Sequence, residues 1–427
     1  MEIHVVRAGD ALRSIAAQYG IPAGILAGIN GMAEDTPLVT GQTIVIRFPR
    51  EVHTVAPGES VYSIALRYGL SARTLYQNNF SLGGRSMLYP GQTLVISFAD
   101  EPQRTLAVNA YTYPFIRGAL LDAALPYLTY LTPFTYSIAA DGSLLPLADE
   151  WLLTAAGQYR TALLMHLSTL TEEGRFDNER SSLVLSDPAA QDTLLASVLE
   201  TVQAKRYFGL DVDFEYVLPD QRDAYAAFIA RLRGALNPLG CPVIVALAPK
   251  TSAAQRGLLY EAHDYALLGA AANAVFLMTY EWGYTYGPPM AVAPLPQVRA
   301  VLDYAVREIA PEKILMGIPL YGYDWPLPFA AGETRAESLS PAEAVERALR
   351  FHAAIEYDTD AQAPHYFYTD HAGREHMVWF EDARSIKAKL LLADEYGLQG
   401  VGYWNLTRPF LQNWAVLSAL FDVETLL

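Results

Sequence analysis

The chain has 427 residues, 52% of them hydrophobic and 18% charged, with a net charge of -16. That apolar content excludes intrinsic disorder, and the acidic balance argues against a nucleic-acid partner, because a phosphate backbone needs clustered Lys and Arg. The single cysteine, Cys241, excludes an intrachain disulfide or cysteine-rich metal site, and no apolar run approaches the ~18 residues of a membrane span.

Residues 1–20 carry Arg7, Asp10 and Arg13 without an apolar core, so no secretory signal is expected there. Residues 1–99 hold seven Arg, no Lys and six Asp or Glu, net +1, whereas the remainder is net -17, so the first quarter reads as a separate unit. It contains an internal repeat. His4-Val5-Val6-Arg7-Ala8-Gly9-Asp10 aligns with His53-Thr54-Val55-Ala56-Pro57-Gly58-Glu59, Ser14-Ile15-Ala16 with Ser63-Ile64-Ala65, Asn30 with Asn79, and Gly41-Gln42-Thr43 with Gly91-Gln92-Thr93. Each copy reads as strand, helix, helix, strand. Asp10 and Glu59 are expected in the first helical turn, where the helix dipole favours acids. Ile15 and Tyr19, like Ile64 and Tyr68, are spaced to share one helix face. His4 and His53 read as repeat structure, not as metal ligands. Both copies resemble LysM modules, which implies binding of N-acetylglucosamine-containing polymers such as peptidoglycan and chitin. The expected modules are residues 1–49 and 50–99.

From about residue 103 apolar strands alternate with helical stretches. Candidate strands are Thr105–Tyr111, Leu128–Phe134, Thr161–Leu167, Gly209–Glu215, Pro242–Leu247, Ala274–Tyr280, Ile314–Leu320 and Gln399–Trp404, with helices such as Asp192–Arg206 and Asp223–Leu236 between them. Near-continuous apolar strands are those buried on both faces of a parallel sheet. Eight such units predict an α/β (β/α)8 TIM barrel over residues 103–427. The long gap before the last strand, with His365–Tyr368 and Met377–Phe380, predicts a small α+β insertion.

The fourth strand carries the chemistry. In Gly209-Leu210-Asp211-Val212-Asp213-Phe214-Glu215, alternation puts the three acids on one face and the apolar residues on the other. The apolar face belongs against helices, so the acids point inward. Stacked carboxyls in a dry interior must share protons, which raises their pKa values and suits a general acid. Glu215, last in the row, falls at the mouth where barrel active sites form.

This strand resembles the Asp-x-x-Asp-x-Asp-x-Glu motif of glycoside hydrolase family 18, with Phe208 in place of the first Asp, so the usual supporting role of that position is in doubt. The resemblance implies Glu215 as acid/base, Asp213 as the group orienting the substrate's N-acetyl, and Asp211 as its proton-sharing neighbour. Met278-Thr279-Tyr280-Glu281-Trp282-Gly283 resembles the family's Met-x-Tyr-Asp segment. Tyr280 would then bind the N-acetyl carbonyl, and Glu281 replaces the usual Asp. By the same resemblance Trp404 is the apolar floor, and Glu281, Trp282 and Tyr321 join it as substrate-binding residues. The implied reaction is substrate-assisted, retaining hydrolysis, without cofactor or metal. His166, His263, His352, His365, His371 and His376 show no ligand spacing.

Modules, barrel and the 278–289 run together resemble the spore-cortex-lytic N-acetylglucosaminidases, which implies a spore or cell-wall location. A chitinase or chito-oligosaccharide hydrolase, and a non-catalytic wall- or coat-binding protein, stay open as alternatives.

Overall fold

The computed structural model describes residues 1–171 and 173–427. Each repeat folds as strand, helix, helix, strand: Glu2–Val5, Leu12–Tyr19, Ala23–Asn30 and Thr43–Ile46, then Pro49–Thr54, Val61–Arg67, Ala72–Asn78 and Thr93–Phe98. The two strands of each copy pair antiparallel. One asparagine locks each copy together. Asn30 donates to the carbonyls of Leu26 and Val45 and accepts from the Val45 amide; Asn79 does the same with Leu75 and Val95. The two histidines are structural: His53 sits between Tyr68 and Glu59 as His4 does between Tyr19 and Asp10. Asp10 and Glu59 lie in the turn before the helix, not in its first turn. There they accept from the Arg7 and Ala56 amides, both at 2.8 Å.

Eight parallel strands close the barrel: Arg104–Thr112, Tyr130–Pro133, Ala162–Ser168, Gly209–Asp213, Val243–Leu247, Ala274–Leu277, Ile314–Pro319 and Gly400–Trp404. The last pairs with the first, Gly400 opposite Ala107. Strands four and six stop short of the predicted ends. Tyr216 and Glu281 take φ values of 57° and 69°, which turn the chain out of the sheet just beyond them. The outward face of strand four is anchored as its alternation predicts: Phe214 stacks on Tyr225 and Phe228 of helix Arg222–Leu236, at 5.7 and 6.0 Å.

The insertion lies between strands seven and eight. It is a five-stranded antiparallel sheet with helix Pro341–Arg350, whose N-terminus is closed by a Ser340–Glu343 capping box. Its own core gathers Leu339, Ala344, Ala348, Tyr366, Val378 and Phe380.

The second repeat shares the apolar core of the barrel, as do Ile29 and Val45 of the first, most of whose other buried apolar residues form a core of their own. The second sits at the base. Arg73 donates to the carbonyls of Pro126 and Leu128 at 2.8 and 2.7 Å, and Phe80 stacks on Tyr127 at 5.8 Å. Those barrel residues precede strand two, so they lie at the end opposite the mouth. The first repeat runs along the flank. Gln412, on the helix after strand eight, donates to Thr43 O at 2.7 Å and to Asn30 Oδ1 at 2.9 Å.

Candidate active site

Strand four delivers Asp211 and Asp213 to the barrel interior, 0% and 5% exposed, and Glu215 follows on the turn at the mouth. The three acids predicted to share a face therefore come together. Neither Asp211 oxygen, nor Oδ1 of Asp213, has a hydrogen-bond partner among the described residues. Burial pushes the Asp211 carboxyl up to about 7, against the opposing influence of the nearby Tyr111 hydroxyl. Asp213 is raised well above the carboxylate range by burial and then by the charges of Glu215 and Asp211. Glu215 is held at about 7 by burial and then by the neighbouring Glu281. A row of acids whose protons are retained near neutrality is what a switching acid/base requires.

Two adjoining cavities share Glu215, Met278, Tyr280 and Glu281. The first, about 170 Å³, is walled further by Tyr111, Phe134, His166, Phe276 and Trp404. The second, about 480 Å³, extends past Trp282, Tyr260, Gln255 and Thr251. Glu215 thus stands at the junction of a narrow aromatic pocket and a wider, more polar groove. Trp404 packs at 4.9 Å from Phe134 and 5.7 Å from Tyr111. Tyr280 is buried, and its hydroxyl is held far above its ordinary range by burial and then by the acids around it, Asp213 first. Tyr321 stands behind the site: its hydroxyl donates to Glu281, and the Tyr323 hydroxyl lies 3.2 Å from the same oxygen. Burial raises the Glu281 carboxyl while these two hydroxyls oppose the rise.

Phe208, at the motif's missing acid, lies before strand four and packs 5.9 Å from Tyr130, away from the mouth.

One residue escapes the sequence pattern. His166 on strand three is 1% exposed, and its Nε2 lies 3.7 Å from Asp213 and 4.0 Å from Asp211. Burial drives its pKa down to about 3, so the imidazole is neutral and these contacts are not ion pairs. Its Nδ1 lies 2.6 Å from Thr135 Oγ1, which leaves Nε2 as the ring nitrogen that faces the acids. Parallel pairing places His166 beside Asp211 and Ser168 beside Asp213. The available signal was a pair of polar residues, His166 and Ser168, at alternate positions at the end of an otherwise apolar strand flanking the acidic one.

Residues 172–408 match the family described as Glycosyl hydrolases family 18, and residues 4–47 and 53–97 match the LysM domain. The chain is 41% identical to the cortical fragment-lytic enzyme of Bacillus subtilis (strain 168) over 430 residues, covering 99% of each. It superposes on the Bacillus cereus spore cortex-lytic enzyme SleL with a TM-score of 0.84 and 36% identity, covering 99% of this chain and 98% of that one. On the Bacillus megaterium QM B1551 spore cortex-lytic enzyme SleL the values are 0.83 and 38%, covering 100% and 99%. Among the described residues no helix is long and apolar enough to cross a membrane. With its closed eight-stranded barrel, its acids at the end of strand four and these matches, the chain belongs to glycoside hydrolase family 18 and carries LysM repeats at its N-terminal end.

Proposed function

We propose that this glycoside hydrolase is an N-acetylglucosaminidase that cleaves spore-cortex peptidoglycan, acting on cortex fragments at a spore or cell-wall location. Full-length similarity to a cortical fragment-lytic enzyme supports the substrate. The observation that carries the mechanism is the row Asp211, Asp213, Glu215 on one strand end, with Glu281 tied to two tyrosine hydroxyls and so not free to act as a nucleophile from the opposite side. Without a second free carboxylate at this strand end among the described residues, the substrate's own acetamido oxygen attacks the anomeric carbon. Glu215 gives its proton to the glycosidic oxygen as the C1–O bond breaks, leaving an oxazolinium ion. Asp213 holds the acetamido N–H, Tyr280 its carbonyl side, and Trp404 lies under the ring, with Trp282, Tyr321 and Glu281 shaping the flank. Water then adds to C1, Glu215 takes its proton, and the acetamido group is released. Asp211 holds Asp213 through shared protonation, with the neutral His166 beside both. The functional units are residues 1–49, 50–99 and 103–427.

Incubation with soluble cortex fragments, intact cortex and chitin oligomers tests this. New N-acetylglucosamine reducing ends should form fastest from cortex fragments, with the β-anomer as first product by proton NMR and competitive inhibition by a thiazoline. Initial α-product, or turnover of substrates with a free C2 amine, overturns the mechanism. Faster cleavage of chitin oligomers makes the enzyme a chitinase, and no cleavage of any substrate makes it a binding protein.

A further inference from the structure

The two repeats share a loop but not its surroundings. In both, the loop glycine N–H donates to the end of the first strand, Gly41 to Val6 O and Gly91 to Val55 O, each at 2.8 Å. In both, the glutamine that follows accepts from the backbone two residues before the glycine, Gln42 from Val39 and Gln92 from Tyr89. Both glycines take φ of 87°. The loops are therefore one conformation built twice.

The first loop is filled by the chain itself. Val39 is buried within the core of the insertion, beside Ile355 and Phe380. The Ile355 amide donates to Thr40 O at 2.9 Å, and Arg384 donates to Gly41 O at 3.3 Å. A Cβ on Gly41 would lie 1.8 Å from Ile355 O. The second loop is open. A Cβ on Gly91 would meet nothing within 4 Å. Tyr89, at the position of Val39, is 64% exposed, and Met87 two residues before it is 68% exposed.

We infer that the repeats have divided their work: the first is an internal clamp whose loop is permanently occupied by the insertion, and the second alone offers its loop to glycan, stacking Tyr89 and Met87 on the apolar face of a sugar ring. This rests on the proposed role of the repeats as glycan binders. A loop whose apolar side chain, carbonyls and glycine face are engaged by Ile355, Arg384 and their neighbours cannot present that face to a sugar ring. Its counterpart displays the aromatic and thioether surface that pyranose rings pack against.

The test uses the full chain in a Glu215→Gln background, so that glycan is held without being cut, and measures pelleting with insoluble cortex. Tyr89→Ala with Met87→Ala should weaken pelleting about tenfold or more, a loss of ~1.4 kcal/mol. The same pair of changes in the active chain should leave cleavage of short soluble fragments unaltered. Val39→Ala should leave pelleting unchanged. Gly41→Ala and Gly91→Ala carry the same backbone strain, so their difference reports the packing alone. Gly41→Ala should lower the melting temperature well below that of Gly91→Ala, whereas equal shifts would overturn the clamp. Full pelleting of the Tyr89/Met87 variant overturns the division. If a thiazoline saturating the barrel cleft also abolishes pelleting of the Glu215→Gln chain, the repeats bind no glycan and the proposed role itself fails. If the Tyr89/Met87 variant pellets fully and that pelleting survives the thiazoline, the repeats bind through another surface.

Discussion

Asp211 and Glu215 are each held at about 7, well above the ordinary carboxylate range. A group whose pKa is higher folded than unfolded binds more protons in the native state, so stability falls as pH rises from about 4 towards 7. These acids therefore cost the fold stability at neutral and alkaline pH. Glu215→Gln should abolish turnover, since general acid catalysis contributes about 10²–10⁴-fold. It should also raise the melting temperature more at pH 8 than at pH 5. A variant destabilised at both pH values would contradict the burial of that carboxyl. In the wild type, kcat/KM should decline above about pH 7 as Glu215 loses its proton. Glu281→Gln removes the like charge that helps hold Glu215 up, so this alkaline limb should move to lower pH. The three acids were legible because period-two alternation leaves them alone on one face. His166 was not, because its partners lie on the adjacent strand, and its alternation with Ser168 alone does not say what the two face.

At the scale of elements, the eight strands were legible because burial on both faces demands apolar runs. Their ends were not, because Tyr216 and Glu281 turn the chain with positive φ at residue types that give no warning. The insertion was visible only as a gap in the βα rhythm, and its attachment was not. Helix Ala383–Glu395 illustrates this: Lys389 on it pairs with Glu381 at 2.8 Å, both 1% exposed. Burial raises the Glu381 carboxyl while Lys389 opposes the rise. Lys389→Met strands that carboxyl, which should cost about 3–5 kcal/mol in urea denaturation at pH 8. The cost should shrink at pH 5, where the orphaned Glu381 can take a proton. Arg13→Ala, which breaks a pair whose partners are 70% and 38% exposed, should cost under about 1 kcal/mol.

At the scale of the whole molecule, composition suggested a separate N-terminal quarter, yet the apolar residues of its second repeat run into the barrel core. Phe80 covers Tyr127, and Arg73 satisfies the Pro126 and Leu128 carbonyls. Removing residues 1–99 bares these groups, so the truncated barrel should melt at least ~10 °C lower and aggregate, while the full chain unfolds in one calorimetric transition. Two transitions in the full chain would mean that the repeats are independent after all. The charge split that separates the units in sequence reports only their surfaces, and packing between units leaves no periodic trace for a reader to find.

The second repeat is seated at the base of the barrel, and Glu215 opens at the mouth. Because the mounting is rigid, the distance and direction between grip and blade are fixed. If Tyr89 and Met87 hold glycan as inferred, the grip belongs to a repeat seated at the opposite end of the barrel from Glu215. An enzyme moored in that way would work like a fixed jaw facing outwards, trimming neighbouring chains before its own mooring line.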